Sequence, residues 1–226
     1  MAFKKAIMNK NYNWIFFDLD GTLADSIPAM YQVYLEFLSK FHKKGTREEF
    51  EELNGPSLSE IVSVLKSRYN LTDDENSLNS FYKKKILDAY KNIVKPLDGA
   101  SNVLEVLKSR GYKSLLVTSA SQEVAEEFVK HQGWSKYFQD YVFGNEIKKA
   151  KPASEIYELA LEKTNVSSDS VVIVEDSYNG VKSAKGSGAF VIGLANNQTK
   201  KELSKAGADI TISRLKEILS ILEVKV

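Results

Sequence analysis

The sequence predicts an α/β fold, a doubly wound parallel sheet into which a bundle of α-helices is inserted. Short apolar runs rich in β-branched and aromatic residues alternate with amphipathic helical patterns along most of the chain, which is typical of strands buried on both faces of a parallel sheet. Between about residues 26 and 94 the alternation stops, and only helical patterns occur. The length of 226 residues suits one core domain with a smaller insertion.

Five apolar runs are predicted to form the strands of the sheet. They cover residues 14–17, 114–117, 171–174, 190–192 and 209–212. Each is of strand length and far short of the roughly 20 apolar residues that span a bilayer. The start of the chain also lacks the apolar run of a signal peptide. We therefore expect a cytoplasmic protein without a membrane partner.

Helical patterns fill the intervals between these runs. In the core they cover residues 100–110, 122–131, 154–164, 179–185, 200–206 and 215–223. The first stops at Gly111, a residue type that commonly ends helices. Pro152 is predicted at the first turn of the helix that follows it, where a proline needs no hydrogen-bond donor.

The stretch without strands is predicted to be a separate helical bundle. Its helices cover residues 27–41, 58–69 and 78–94, with a turn at 54–57 before the second helix. Hinges are expected at residues 23–25 and 95–98. This divides the chain into an α/β core, residues 1–24 and 96–226, and a helical insert, residues 25–95.

Composition excludes several classes of function. Lys and Arg (31) nearly balance Asp and Glu (30), giving a net charge of +1, so no basic field is available to hold a nucleic acid. The chain has no cysteine and only two histidines. This excludes a disulfide scaffold, a cysteine nucleophile and a zinc site built from several histidines or thiolates.

The first candidate for chemistry is the pentapeptide Asp18-Leu19-Asp20-Gly21-Thr22, directly after the first predicted strand. An Asp-Gly pair is also a common turn signal, so the pentapeptide alone leaves a structural role open. In a functional role, the two carboxylates leave the strand together while Gly21 lets the chain turn sharply. Such a pair can hold a divalent cation and present one carboxylate for attack.

Further candidates follow the next strands, and each alone also has a structural explanation. Thr118 and Ser119 end the second strand, Lys151 lies in a lysine-rich run typical of a solvated face, and Glu175-Asp176 follow the third strand as possible helix caps. Ligands of open α/β sheets bind outside the carboxyl ends of the strands. One site would therefore gather acids, a hydroxyl and a lysine, which suits phosphoryl transfer with Mg²⁺.

These motifs, in this order, resemble those of the haloacid dehalogenase-like (HAD) hydrolases. That superfamily carries a strand ending in Asp-x-Asp-Gly-Thr, then a Ser or Thr, a Lys and an acidic pair. The resemblance covers about residues 13–222, and the insert lies where the helical-cap subgroup, which includes phosphoglycolate phosphatases and β-phosphoglucomutases, has its cap domain. It implies a HAD-like Rossmannoid core and an enzyme that hydrolyses phosphoric monoesters.

The resemblance also implies roles for the two aspartates of the first motif. Asp18 would be the nucleophile and form an aspartyl-phosphate. Asp20 would protonate the leaving alcohol and then deprotonate water, while its backbone carbonyl binds Mg²⁺. Gly21 would lie against the phosphate.

The remaining motif residues would hold the metal and the phosphate. Asp176 would bind Mg²⁺ directly, together with Asp18, and Glu175 would bind it either directly or through water. Thr118, Ser119 and Lys151 would contact the phosphoryl oxygens, and Lys151 would also offset the charge of Asp18.

The sequence therefore predicts an Mg²⁺-dependent phosphatase that acts on a small phosphate monoester, such as a sugar phosphate or a phosphorylated small acid. The nearest alternative is a phosphomutase of the β-phosphoglucomutase type. Residues 28–31 and 56–59 lack the histidine and arginine of that branch, which favours hydrolysis. The contrasting alternative is a catalytically silent binding or signalling member. Cations of the insert available for an anionic leaving group are Lys43, Arg47, Arg68 and Lys83, Lys84 and Lys85.

Overall fold

The computed structural model describes residues 12–53 and 56–222. Within these ranges the strands in chain order are β1 (Trp14–Phe17), β2 (Ala24–Asp25), β3 (Lys95–Pro96), β4 (Lys113–Thr118), β5 (Phe138–Phe143), β6 (Val171–Glu175), β7 (Phe190–Leu194) and β8 (Ile210–Ile212). Six of them form one parallel sheet in the order β5-β4-β1-β6-β7-β8. The short strands β2 and β3 pair antiparallel as a separate ribbon.

The strand order places a switch point beside β1. From β1 the chain continues to β4 and β5 on one side, and β6 is followed by β7 and β8 on the other. Phe17 pairs with Leu116 of β4 and with Val174 of β6, so the ends of these three strands lie level. Ligands bind at such a crevice in open α/β sheets.

Alternating side chains of the strands bury both faces of the sheet. In β1, Ile15 and Phe17 point into one apolar cluster, while Trp14 and Phe16 point into another on the opposite face. Such two-sided burial explains why the strands read as continuous apolar runs rather than as alternating ones.

Among the described residues, six helices cover the two faces of the sheet, and four more precede them in the insert. The insert contains α1 (Ile27–Lys40), α2 (Arg47–Glu52), α3 (Leu58–Tyr69) and α4 (Glu75–Asn92); the core contains α5 (Ala100–Ser109), α6 (Gln122–His131), α7 (Glu155–Thr164), α8 (Tyr178–Gly186), α9 (Lys200–Ala206) and α10 (Glu217–Ile221). Helices α5, α6 and α10 pack on the face of Ile15, and α7, α8 and α9 pack on the face of Trp14. The predicted doubly wound α/β fold with inserted helices is therefore confirmed.

The helices of the insert begin where the sequence provides caps. Ser57 and Glu60 form a reciprocal capping box at the start of α3, and the Asp74 side chain accepts the Ser77 N–H at the start of α4. The ribbon of β2 and β3 lies where the insert leaves and rejoins the core. No helix of the described ranges is both long and apolar enough to cross a bilayer.

Three local predictions were wrong or incomplete. Helix α7 begins at Glu155, so Pro152 lies in the turn before it and not in its first turn. Strand β5 was missed because several of its side chains face solvent, which breaks the apolar run. Helix α2 was missed because five of its six residues, REEFEE, are charged. Of the predicted turn, residues 54 and 55 lie outside the described ranges, as does residue 223 of the last predicted helix.

Candidate active site

Three carboxylates meet at the switch point of the sheet. Asp18 follows β1, and its backbone N–H donates to the Val174 carbonyl at 3.1 Å, which holds it level with the end of β6. Glu175 ends that strand and Asp176 follows it. One oxygen from each of these three side chains lies within 4.8 Å of the others. All three residues are buried, with exposed fractions of 5%, 0% and 4%.

Lys151 supplies a buried cation to this cluster. Its Nζ donates to Asp18 Oδ1 at 2.7 Å and to Glu175 Oε1 at 2.6 Å. The exposed Lys148 and Lys149 match the solvated face that the lysine-rich run suggested, but Lys151 is 7% exposed and points inward. The burial of Lys151 and its two bonds to acids therefore favour a role in the site over a position on a solvated face.

Burial and mutual repulsion make the acidic cluster reluctant to ionise fully. Burial raises the pKa of Asp18 well above its usual value, the charge of Glu175 raises it further, and Lys151 opposes both. Burial and Glu175 raise the pKa of Asp176 to about 7, against a hydrogen bond from Asn197. Burial lowers the pKa of Lys151, but Asp18 and Glu175 outweigh it and raise the value overall. The cluster therefore carries more negative charge than its lysine compensates.

This donor set fits a hard divalent cation. Carboxylate oxygens are the ligands that Mg²⁺ prefers, and buried acids that lack enough positive charge are costly unless a cation joins them. Asp18, Glu175 and Asp176 offer three such oxygens in one place. Magnesium binding would relieve the repulsion that raises the pKa of Asp18 and Asp176.

Gly21 leaves room for the acidic cluster. Its φ of +77° lies in the left-handed region, which glycine adopts without a Cβ penalty. A Cβ at this position would lie 2.1 Å from Asp176 Oδ2 and 2.8 Å from Asn197 Nδ2. A glycine is therefore required at position 21 for two reasons, the sharp turn of the chain and the close approach of Asp176.

Asp20 is held by two hydroxyls that lie outside the sequence motifs. Ser26 Oγ donates to its Oδ1 at 2.5 Å, and the Tyr90 hydroxyl donates to the same oxygen. Tyr90 belongs to α4 of the helical insert, so the insert contacts the first motif directly. Burial raises the pKa of Tyr90 well above its usual value, and the charge of Asp20 adds to this, so its hydroxyl keeps its proton.

Thr118 and Ser119 lie at the end of β4 with different surroundings. Thr118 is fully buried, and its Oγ1 accepts the Ala120 N–H at 3.0 Å, which fixes the turn after the strand. Ser119 lines a cavity of about 270 Å³ that also receives Asp18, Asp20, Lys151 and Asp176. The structure thus brings five of the predicted site residues to one cavity, whereas Gly21, Thr118 and Glu175 do not line it.

Two further residues contact the acidic cluster without having been predicted. Asn197 Nδ2 donates to Asp176 Oδ2 at 3.0 Å, and the Tyr157 hydroxyl donates to Glu175 Oε1 at 2.7 Å. Asn197 follows β7, so the rule that strand ends carry the site would have found it. Tyr157 is the third residue of α7, where an aromatic residue suggests only core packing.

The sequence is similar to those of known phosphatases and hydrolases. The sequence profile of haloacid dehalogenase-like hydrolases matches residues 15–194. A phosphorylated carbohydrates phosphatase from Thermotoga maritima is 33% identical over 215 residues, which cover 92% of this chain and 97% of the relative.

Solved structures share the fold over nearly the whole chain. One from Thermotoga maritima, provisionally named a β-phosphoglucomutase, is 30% identical with a TM-score of 0.76 and covers 93% of this chain and 98% of its own. CbbY from Rhodobacter sphaeroides, solved with phosphate, has a TM-score of 0.83 and covers 94% of this chain and 99% of its own; at 23% identity it supports the fold alone. The profile match spans most of the chain and includes all four motifs, so this protein belongs to the haloacid dehalogenase-like hydrolases.

Proposed function

We propose that the protein is an Mg²⁺-dependent phosphatase that hydrolyses a small phosphate monoester through an aspartyl-phosphate. The observation that carries the proposal is the buried group of Asp18, Glu175 and Asp176 around Lys151, open to a cavity that Asp20 shares. Buried acids with perturbed pKa values in a cleft are typical of functional sites.

Asp18 and Asp20 divide the chemistry between them. Lys151 holds Oδ1 of Asp18, which leaves Oδ2 to attack phosphorus while the bond from phosphorus to the alcohol oxygen breaks. The departing oxygen takes a proton from Asp20. Asp20 then accepts a proton from water, and that water attacks the phosphorus of the aspartyl-phosphate, releasing inorganic phosphate and restoring Asp18.

The metal would be held by Asp18, Asp176 and the backbone carbonyl of Asp20, with Glu175 bound directly or through water. When bound, Mg²⁺ supplies positive charge that offsets the negative charge of the site and of the phosphoryl group. Lys151, Thr118, Ser119 and the backbone at Gly21 would hold the phosphoryl oxygens. The structural support is that Lys151 and Ser119 line the cavity, and that Thr118 and Gly21 directly adjoin its lining residues Ser119 and Asp20 in the chain.

Release of phosphate from a generic aryl phosphate tests the proposal. We expect turnover with Mg²⁺, loss of turnover after chelation, and recovery when Mg²⁺ is restored, because four acids otherwise repel a phosphate dianion. Full activity in metal-free buffer would refute the metal requirement. Absence of phosphate release with Mg²⁺ from every member of a phosphate-ester library would favour the catalytically silent alternative.

A phosphomutase is the second candidate, and the provisional name of the Thermotoga structure favours it. A mutase must hold a second phosphate group on its substrate. Among the described residues of the insert that line the cavity, Lys83 is the one cation, and its Nζ already lies 2.5 Å from Glu123 Oε2. This favours hydrolysis, and product analysis distinguishes the two: a hydrolase releases phosphate, whereas a mutase returns an isomeric sugar phosphate.

A further inference from the structure

The described part of the helical insert lines the active-site cavity mainly with apolar side chains. Eight of these side chains carry no oxygen or nitrogen, and the six of them that belong to helices are Ile27, Met30, Phe50, Leu58, Ile61 and Ile86. They come from all four helices of the insert. The cavity therefore runs from the acidic cluster, where a phosphate would lie, to a wall made of aliphatic and aromatic groups.

Few polar groups of the insert reach this wall. The Tyr90 hydroxyl already donates to Asp20, and Lys83 is paired with Glu123. Tyr82 is 6% exposed and lines the cavity, and within the described ranges its hydroxyl has no hydrogen-bond partner. Burial alone raises the pKa of Tyr82. One neutral hydroxyl is thus the main polar group that the insert holds free for a ligand.

Three other cations of the insert bind partners of their own. Arg47 pairs with Glu51 at 2.8 Å, Arg68 with Glu49 at 2.9 Å and Lys85 with Glu36 at 2.7 Å. These three cations do not line the cavity. A carboxylate or a second phosphate on the substrate would meet little positive charge here, so the expectation that these cations bind an anionic leaving group is not supported.

We infer that the leaving group of the preferred substrate is a neutral, largely apolar alcohol rather than a sugar or a phosphorylated acid. The inference rests on the proposed phosphatase function and narrows its substrate class. A sugar would surrender the hydrogen bonds that its hydroxyls make with water, and this wall returns few of them. An apolar ring instead gains from leaving water.

A matched pair of esters tests the inference. Cyclohexylmethyl phosphate and glucose 6-phosphate both carry a six-membered ring on a primary phosphate ester, so they differ mainly in the ring hydroxyls. We expect kcat/KM with Mg²⁺ to be at least about tenfold higher for cyclohexylmethyl phosphate. Equal values, or a preference for glucose 6-phosphate, would overturn the inference while leaving the phosphatase function intact.

A pair of variants on α3 tests which surface sets the preference. Ile61 lines the cavity, whereas Val64 on the same helix is 40% exposed to solvent. Ile61→Asn should lower the preference for cyclohexylmethyl phosphate by at least about fivefold. Val64→Asn should leave the preference unchanged, because Val64 does not line the cavity. It is a matched control, since both variants place an asparagine on the same helix. An unchanged preference in Ile61→Asn protein that still unfolds cooperatively would contradict the inference.

A binding measurement separates failure of this inference from failure of the proposed function. In Asp18→Asn protein with Mg²⁺, where hydrolysis is blocked, calorimetry gives the Kd of both esters. If the wild-type protein hydrolyses neither these two esters nor any member of the phosphate-ester library, the proposed function fails, and the two Kd values alone decide which alcohol group the cavity prefers. Tighter binding of cyclohexylmethyl phosphate by about tenfold supports it, and equal binding overturns it.

Discussion

At the scale of single residues, the site depends on one buried lysine among acids. Lys151 forms salt bridges with both Asp18 and Glu175. Removing one partner of a buried ion pair leaves the charge of the other uncompensated. Asp176, whose pKa is raised to about 7, accepts a hydrogen bond from the Asn197 amide. The cluster is therefore arranged for a further positive charge rather than for greatest stability.

Gly21→Ala should abolish activity, because the new Cβ would collide with Asp176 Oδ2. Gly111→Ala is the matched control: Gly111 also has a positive φ, of +83°, but a Cβ there would have nothing within 4 Å. Backbone strain of about 1–2 kcal/mol is common to both variants. Thermal unfolding measures the cost of strain in each variant, and kcat/KM measures the activity that each retains. Similar activity in the two variants would show that contact with Asp176 does not matter.

Tyr90→Phe should reduce kcat by about tenfold and change KM less, because Asp20 loses a hydrogen bond that orients it for proton transfer. Tyr137→Phe is the control, since Tyr137 lies in a short 3₁₀ turn outside the cavity. Steady-state kinetics on one aryl phosphate separates the two parameters. A rise in KM at constant kcat would mean that Tyr90 binds substrate and does not position Asp20.

Most motif residues of the site, Lys151 excepted, could be predicted from the sequence because they lie at or directly after the ends of strands. Asp18, Thr118 and Glu175 end neighbouring strands of a parallel sheet, so local apolar runs were enough to bring them together. Tyr90 and Tyr157 could not be predicted, because both lie within helices and reach the acids only through tertiary packing.

At the scale of elements, a buried carboxylate joins three helices of the insert. Glu49 of α2 accepts the Tyr34 hydroxyl of α1 at 2.5 Å, the Tyr69 hydroxyl of α3, and the Arg68 guanidinium of α3 at 2.9 Å. Burial opposes ionisation of Glu49, but these donors outweigh it and lower its pKa. The short, highly charged helix α2 is thus held by this network, together with the ring contacts of Phe50.

Glu49→Gln should destabilise the protein by about 1–3 kcal/mol, because bonds to a charged acceptor are lost. Glu51 is 61% exposed, and its salt bridge in the described structure is with Arg47, one helical turn away. Glu51→Gln should therefore change the free energy of unfolding by less than about 0.5 kcal/mol. Since the folded-state pKa of Glu49 is lowered, its contribution is complete above the unfolded value of 4.5. This contribution to stability is lost as the pH falls through the lowered pKa that Glu49 has in the folded protein.

Urea unfolding of both variants and wild type, at neutral pH and at successive pH values below 4.5, checks this. The difference between wild type and Glu49→Gln should shrink as the solution becomes acidic. A constant difference across that window would show that the charge of Glu49 is not what joins the helices.

The sequence predicted long buried elements better than short or exposed ones. Helices Gln122–His131 and Leu58–Tyr69 have the predicted bounds, because an apolar stripe and end signals agree there. Strand β5 lies at the edge of the sheet and exposes part of one face, so its pattern resembles that of a loop. The ribbon of β2 and β3 has two residues in each strand, too few for any periodic signal.

At the scale of the whole molecule, the insert lies against the core across the cavity. Tyr90 packs edge-to-face on Phe128 of α6, with ring centroids 5.7 Å apart, and Lys83 pairs with Glu123 of the same helix. The insert thus contributes both a wall of the cavity and a donor to Asp20. We propose that residues 25–95 act as a lid that excludes water and large substrates.

A lid of this kind should discriminate by size. Phosphoserine and a peptide containing phosphoserine share the same reacting ester, and we expect kcat/KM to be lower for the peptide by at least about tenfold, or roughly 1.4 kcal/mol of transition-state binding. Phosphate release from the two substrates, assayed side by side with Mg²⁺, measures the ratio. A peptide hydrolysed as fast as the free amino acid ester would show that the insert does not filter by size.

The location of the phosphoryl group during turnover is the sharpest test of Asp18 as the nucleophile. Asp20→Asn protein, in which the attack of water is slowed, is mixed with an aryl phosphate and Mg²⁺, quenched in acid and mapped by peptide mass spectrometry. We expect one phosphoryl group on Asp18, none on Asp18→Asn protein treated in the same way, and loss of turnover in Asp18→Asn. A phosphoryl group on another residue, or turnover of Asp18→Asn at the wild-type rate, would contradict it.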